Sequence, residues 1–261
     1  MESKEENTKL PVLLSIPHGG KDVPAELSSQ VAIDSVDLFD DSDSYTREIY
    51  DLGGSVRYVV KADIARAFVD LNRASDDLPP ENPDGVVKTA TCYGRPIYKE
   101  EFRWTSDGVR RLLDNHYYPY HRELERALED SRLVLALDCH SMAAVAPPVS
   151  AIPGLPRPLF CLSNRSGESA SDDTVSRLAA CIVEAFELEP EDVLLNDPFM
   201  GGHITASHGG GRVPWVQVEM SRALYLVEPW FDRENLEVDR DRIEELNRRF
   251  RNALFAFCRS G

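Results

Sequence analysis

This chain lacks any apolar run near the roughly 18 residues that a membrane-spanning helix requires, so no span is expected in its 261 residues. It is short of basic side chains, with 29 Lys and Arg against 45 Asp and Glu, a formal charge of −16. A binder of nucleic acid or of an anionic membrane surface needs a basic face, which this balance argues against. The five cysteines (Cys92, Cys139, Cys161, Cys181 and Cys258) are odd in number and show no CxxC spacing. That usage fits a reducing compartment better than a disulfide framework. Met1 to Leu10 is polar and charged, without the apolar stretch of a signal peptide. The expectation is a cytoplasmic protein with a flexible N-terminus over residues 1–10. Two further absences remove enzyme classes. No GxSxG elbow accompanies His208-Gly209-Gly210-Gly211, so those glycines are not an esterase oxyanion loop. No GK[ST] follows them, so they are not a phosphate loop either.

What is present reads as alternating strand and helix. An apolar content of 42 % is ordinary for a globular chain, and neither a repeat nor a domain boundary interrupts residues 11–261. Strands are predicted over Val12–Ile16, Ser55–Val60, Leu133–Leu137, Leu155–Leu162, Val193–Asn196 and Trp215–Met220. Helical spacing runs over Ser42–Leu52, Thr105–Leu133 (with Pro119 as a kink or boundary), Asp172–Phe186 and Asp239–Phe257. The Pro-, Asp- and Asn-rich stretch Ala74–Lys88 reads as a long functional loop. Gly201–Gly211 reads as a mobile loop lining a site. Together these predict a single-domain α/β fold, a mixed sheet flanked by helices, with ligands beyond the carboxyl ends of strands.

The chemistry-bearing residues fall at such strand ends. His18, in Ser15-Ile16-Pro17-His18-Gly19-Gly20, follows the first strand; His140, in Asp138-Cys139-His140-Ser141-Met142, follows the third. Two imidazoles and a carboxylate from Asp41-Ser42-Asp43 are ligand types that zinc accepts, leaving a fourth position for water. Each piece has a bland alternative: a turn histidine at His18, a core histidine at His140, a solvated helix N-terminus for Asp37–Asp43. Asp138, two residues before His140 and so on the same side of a strand, can orient its imidazole or bond nearby backbone. Glu219 ends the run Val216-Gln217-Val218, where a buried carboxyl has a raised pKa suited to proton transfer; a structural pair with Arg222 is its alternative. Arg66 and Asp70-Leu71-Asn72-Arg73 can form a clamp for a carboxylate, or Arg73 can pair with Asp70 or Asp76. His203 and Thr205, with His208, are candidate substrate-facing groups.

Taken in order, these motifs, with Tyr117–His121 and Asn196–Thr205, resemble the N-formylglutamate amidohydrolase family over residues 11 to 226. That family comprises zinc enzymes similar to zinc carboxypeptidases. The resemblance implies a phosphorylase/hydrolase-like α/β fold and one zinc ion, or another divalent transition metal, held by His18, His140 and Asp43, the last chosen over Asp41. Asp138 and Asp41 would then stand behind the ligands. Glu219 would be the general base, Asn72 and Arg73 would hold a substrate carboxylate, and Arg66 would stabilise the oxyanion or bind a second carboxylate. No HxxE follows His18, where positions 19 to 21 are Gly-Gly-Lys, so the third ligand has to come from elsewhere. The implied reaction is hydrolysis of the N-acyl bond of a small acidic amino acid, N-formyl-L-glutamate first. A peptide or cell-wall amide, or a non-catalytic metal or ligand binder on the same fold, are the alternatives.

Overall fold

A computed structural model of the protein describes residues 9–148, 150 and 152–260. Six strands form one mixed sheet: β1 (Leu10–Ile16), β2 (Val56–Lys61), β3 (Leu135–Met142), β4 (Phe160–Ser163), β5 (Val193–Leu195) and β6 (Trp215–Ser221), in the order β2-β1-β3-β6-β4-β5. All neighbours run parallel except β4 and β6. Every residue of β3 and β6 is buried, the polar Asp138, His140, Gln217 and Glu219 included, as befits central parallel strands covered on both faces. Most of the predicted flexible N-terminus, residues 1–8, lies outside the described residues; Leu10 already belongs to β1. No helix among the described residues is long and apolar enough to cross a membrane.

Helices cover both faces. On one, α2 (Thr46–Tyr50), α5 (Asp172–Phe186) and α7 (Arg240–Arg259) bury Tyr50, Ile182, Phe250 and Leu254 against Leu14, Leu137 and Val218. The amphipathic spacing of α7 puts Ile243, Leu246, Phe250, Leu254 and Phe257 inward, as predicted. On the other, α3 (Ser106–Leu112), α4 (Tyr118–Leu128) and the long connection between β2 and α3 pack Phe68, Leu112 and Leu124 against Leu13, Ala136 and Trp215. One π-helical turn, Leu113–Tyr117, separates α3 from α4, and Pro119 stands in the first turn of α4, where its missing N–H costs little.

Three local expectations need correction. The helix expected over Ser42–Leu52 is shorter: α1 (Ser35–Asp41), capped by Asp34, ends before Ser42, and the chain turns through Ser42–Tyr45 before α2 begins. Long-range bonds make that break. Asp43 N–H donates to His18 O (3.1 Å), and Tyr45 takes a left-handed conformation (φ 67°) that stops the helix running through. The third strand extends to Met142, so His140 is inside it rather than after it. The stretch expected to be a mobile loop contains a helix, α6 (His203–His208).

Candidate active site

Three adjacent parallel strands carry the polar residues. On β3, Asp138 and His140 share one face, as period-two geometry requires, and Gln217 and Glu219 share the same face of β6. The register sets Asp138 beside Gln217 and His140 beside Glu219; on the other side Ser15 of β1 stands beside Asp138. His18 follows the end of β1 by two residues. Its Pro-His-Gly-Gly turn needs glycine for close approach of backbone: a Cβ at Gly20 would meet the carbonyl oxygens of Asp63 and Ile64 at 2.5 Å. The site therefore forms outside the carboxyl ends of the central strands.

His18, His140 and Asp43 converge there, all buried, with potential ligand atoms within 4.8 Å of one another. His18 Nδ1 lies 3.5 Å and His140 Nδ1 3.0 Å from Asp43 Oδ2. The opposite ring nitrogens both face buried carboxylates: His18 Nε2 donates to Asp70 Oδ1 at 2.7 Å, and His140 Nε2 lies 3.1 Å from Asp138 Oδ2. His18 Nδ1 is buried without any hydrogen-bond partner. An orphaned imidazole nitrogen aimed at a carboxylate, with its other nitrogen held by a second carboxylate, is the donor arrangement of a metal-binding histidine. The residues fit one divalent ion with nitrogen and oxygen donors. Burial opposes charge on Asp43, but the hydrogen bond from His140 and the nearby His18 imidazole outweigh it and hold the carboxyl well below its usual range.

A network of ion pairs supports these groups. Asp70 also accepts from Arg66 Nη2 at 2.8 Å, and Arg66 Nη1 lies 3.8 Å from Asp43. Lys88, fully buried, stands 2.7 Å from Asp84, 3.5 Å from Asp41 and 3.8 Å from Asp70. This joins the long loop to the site. Asp41 thus faces Lys88 and the Cys92 N–H (2.8 Å) rather than the imidazoles. Burial works against its charge as well, but Lys88 and then Arg66 keep its pKa low. Arg222 does not pair with Glu219. Its guanidinium donates to the carbonyls of Asp40 and Ser42 and to Asp43 Oδ1 (3.3 Å), clamping the turn that presents Asp43.

The expected carboxylate clamp is split. Asn72 Oδ1 accepts the Ile204 N–H at 2.7 Å, and its Nδ2 lies 3.1 Å from His140 Nε2. Asn72 therefore caps α6 from 132 residues away, where Gly202 at the N-cap has no side chain. A Cβ at Gly202 would come within 2.3 Å of the Asn72 amide. Arg73 donates to both the carbonyl and the carboxylate of Asp84, at 3.0 Å each, and pairs with neither Asp70 nor Asp76 among the described contacts. Thr205 is fully buried beneath Asp138 (3.5 Å), His203 meets the Tyr117 hydroxyl at 3.0 Å, and His208 meets His121 at 2.9 Å. None of these three borders the cavity, because α6 turns them inward toward α4 and β3.

The cavity has a volume of about 510 Å³ and is bordered by His18, Asp43, His140 and Glu219 together with Arg66, Asn72, Arg73 and Arg222. Glu219 is buried, and loss of solvation, added to the charges of Asp43 and Asp138 against the opposing His140 and Arg66, raises its pKa to about 7. Gln217 donates to its Oε1 (3.0 Å) and accepts the Gly202 N–H (2.6 Å), tying β6 to the start of α6. A carboxyl that exchanges a proton near neutral pH, beside a metal-type donor set, can serve hydrolysis. Asp70, Lys88, Gln217 and Arg157 also belong to this site. Asp70 was read only as a partner of Arg73, Gln217 lay in the run before Glu219, Lys88 ended the long loop, and Arg157 lay in a stretch that carried no other candidate.

Comparison with known proteins gives concordant results. A sequence model described as N-formylglutamate amidohydrolase matches residues 10–226. The chain is 32 % identical over 248 residues to an N-formylglutamate deformylase of Pseudomonas putida, covering 87 % of each. It is 31 % identical to one from Pseudomonas aeruginosa, covering 91 % of each. The crystal structure of an N-formylglutamate amidohydrolase from Ralstonia eutropha superposes with a TM-score of 0.80 at 23 % identity, over 97 % of this chain and 94 % of that one.

Proposed function

The chain belongs to the N-formylglutamate amidohydrolase family, and from that premise we propose that it hydrolyses the N-acyl amide bond of a small acidic amino acid. N-formyl-L-glutamate, cleaved to formate and glutamate, is the first substrate to test. Residues 11–261 act as one catalytic domain, in the cytoplasm. The observation that carries the reading is the orphaned His18 Nδ1, facing Asp43 and His140 beside a carboxyl that titrates near neutrality.

His18, His140 and Asp43 would hold one divalent ion, zinc or another transition metal. When bound, such an ion supplies Lewis acidity toward an acyl oxygen and toward water. Asp70 and Asp138 fix the imidazoles so that the Nδ1 atoms point at Asp43. Glu219, its Oε1 held by Gln217, takes the proton of the attacking water at Oε2 and delivers it to the departing amine nitrogen. Arg66 brings a guanidinium to the same wall and stabilises the oxyanion. Arg73, whose Nη1 is not engaged by Asp84, receives the substrate's α-carboxylate, while Asn72 keeps α6 in place.

The test is formate release from N-formyl-L-glutamate by purified protein, with and without a metal chelator. Chelator-sensitive release, restored by added metal, is expected; no release from metal-loaded protein overturns the deformylase reading. A longer amide is the second reading. It is favoured by an open groove of about 910 Å³ that shares Asp40, Tyr93, Ala143 and Arg222 with the cavity. A panel of N-acyl amino acids and short peptides separates the two.

A further inference from the structure

Four arginines border the cavity, and three already pair with a carboxylate. Arg66 is bound to Asp70, Arg73 to Asp84, and Arg222 to Asp43 and the carbonyls of Asp40 and Ser42. Arg157 is different. It makes no ion pair among the described residues, and its Nε is buried without a hydrogen-bond partner. Its guanidinium lies over the Phe199 ring, 4.9 Å from the centroid.

Arg157 is also held in place by its backbone. Its N–H donates to Ala144 O and Ala146 N–H donates to Leu155 O, each at 2.9 Å, closing the β3–β4 connection into a short antiparallel clamp. Glu219 and Tyr93 favour its charge and Arg222 opposes it, yet burial dominates and pulls its pKa below the usual arginine value. A partly desolvated guanidinium without a counter-charge is costly, and a carboxylate ligand relieves that cost through two parallel hydrogen bonds.

We propose that Arg157 is the specificity-determining residue that receives the side-chain carboxylate of the acidic substrate, with Phe199 packing against that side chain's methylenes. The inference rests on the reading under Proposed function, in which Arg73 takes the α-carboxylate. Arg73 follows Asn72, whose amide touches His140, so it serves the carboxylate nearer the scissile bond. Arg157, on a separate connection with an apolar ring beneath it, serves the farther one.

The experiment compares the metal-loaded wild type with Arg157→Met and Arg157→Lys on N-formyl-L-glutamate, N-formyl-L-glutamine and N-formyl-L-isoglutamine, the last carrying its amide at the α-position. Thermal melting confirms that the variants are folded. A lost charge-assisted pair is expected to lower kcat/KM of Arg157→Met for formylglutamate by roughly 30- to 100-fold, mostly through KM. Turnover of formylglutamine should change by less than about threefold, since its side-chain amide makes no such pair. Arg157→Lys should recover part of the preference. Equal losses on formylglutamate and formylglutamine, or a discrimination lost only against the α-amide, would overturn the proposal. If the wild type hydrolyses none of the three, the reaction assigned under Proposed function falls. Calorimetric titration with L-glutamate and L-glutamine then decides Arg157 separately. A wild-type preference for glutamate that Arg157→Met abolishes supports the assignment, and wild type and variant that do not differ in this respect overturn it.

Discussion

The two faces of one sheet have been put to different uses. On the face covered by α2, α5 and α7, the central strands present Val12, Leu14, Ile16, Leu135, Leu137, Cys139, Val216, Val218 and Met220, apolar from end to end. On the other they begin with Leu13, Ala136 and Trp215 and then turn polar through Ser15, Asp138, His140, Gln217 and Glu219. Period-two geometry places Val218 and Glu219, or Cys139 and His140, one residue apart on opposite faces. Folding and chemistry are thus separated by a single step along the chain. Asp43, Asp70, Asp41, His18 and His140 are buried with one another, Arg66, Lys88 or Arg222 as partners, which is the condition for burying charge without unfolding the domain. Glu219, by contrast, is held by Gln217 and is driven toward its neutral form.

Substitutions can break or sharpen this division. The largest effect on turnover should come from Glu219→Gln on the polar face, with kcat falling about 10²- to 10⁴-fold. Denaturant unfolding should show no loss of stability, because burial already drives this carboxyl toward its neutral form; near-normal turnover in a folded variant would end the catalytic assignment. Its counterpart across the sheet is Leu14→Ala, expected to cost about 2–5 kcal/mol of stability. Its kcat/KM per folded molecule should stay within about twofold of wild type, since the cavity opens away from the site. A large activity loss at intact folding would show that the faces are not independent. Asp70→Asn should weaken metal binding about 10- to 100-fold, read by competition with a chromophoric chelator, and Asp138→Asn should behave alike. The smallest effect is the pH dependence. Activity should fall about tenfold per unit below the pKa of Glu219 in the metal-loaded enzyme, as the base becomes protonated. A bound cation, which favours the carboxylate, sets that limb below the value of about 7 that holds without metal. In metal-free protein the sign for stability is opposite. The native state holds a proton that the unfolded chain releases above its ordinary value of 4.5. This group's contribution to stability therefore falls as pH rises from 4.5 to about 7, a slope that Glu219→Gln should remove.

Elements whose signals are local were readable before folding was considered. Asp172–Phe186 forms a helix with the predicted bounds, because Ser171 caps it and its apolar spacing is regular. The runs that became β1, β3 and β6 place His18, His140 and Glu219 correctly at one end of the sheet. Signals from distant residues were not readable. The break after Asp41 depends on His18 and Arg222, and the helix at His203 depends on a cap supplied by Asn72. A periodicity argument sees neither. The glycines around His18 were legible as necessary, but the backbone they admit is that of Asp63 and Ile64.

The sequence by itself determined the classes of element, the alternation that makes a mixed α/β sheet, and the set of residues able to bind a metal and move a proton. Those follow from side-chain chemistry and from repeats of 3.6 and 2, which are properties of neighbours along the chain. The resemblance had already favoured Asp43 over Asp41, and it is Asp43 that stands between the imidazoles; tertiary structure alone decided that Asp70 holds His18 while Arg66 holds Asp70. It alone left Arg157, of the four arginines at the cavity, without a carboxylate partner among the described residues. The physical reason is the range of the interaction. Ion pairing and desolvation depend on which charges come within a few ångströms after burial, and folding joins residues a hundred positions apart on terms that no local pattern records.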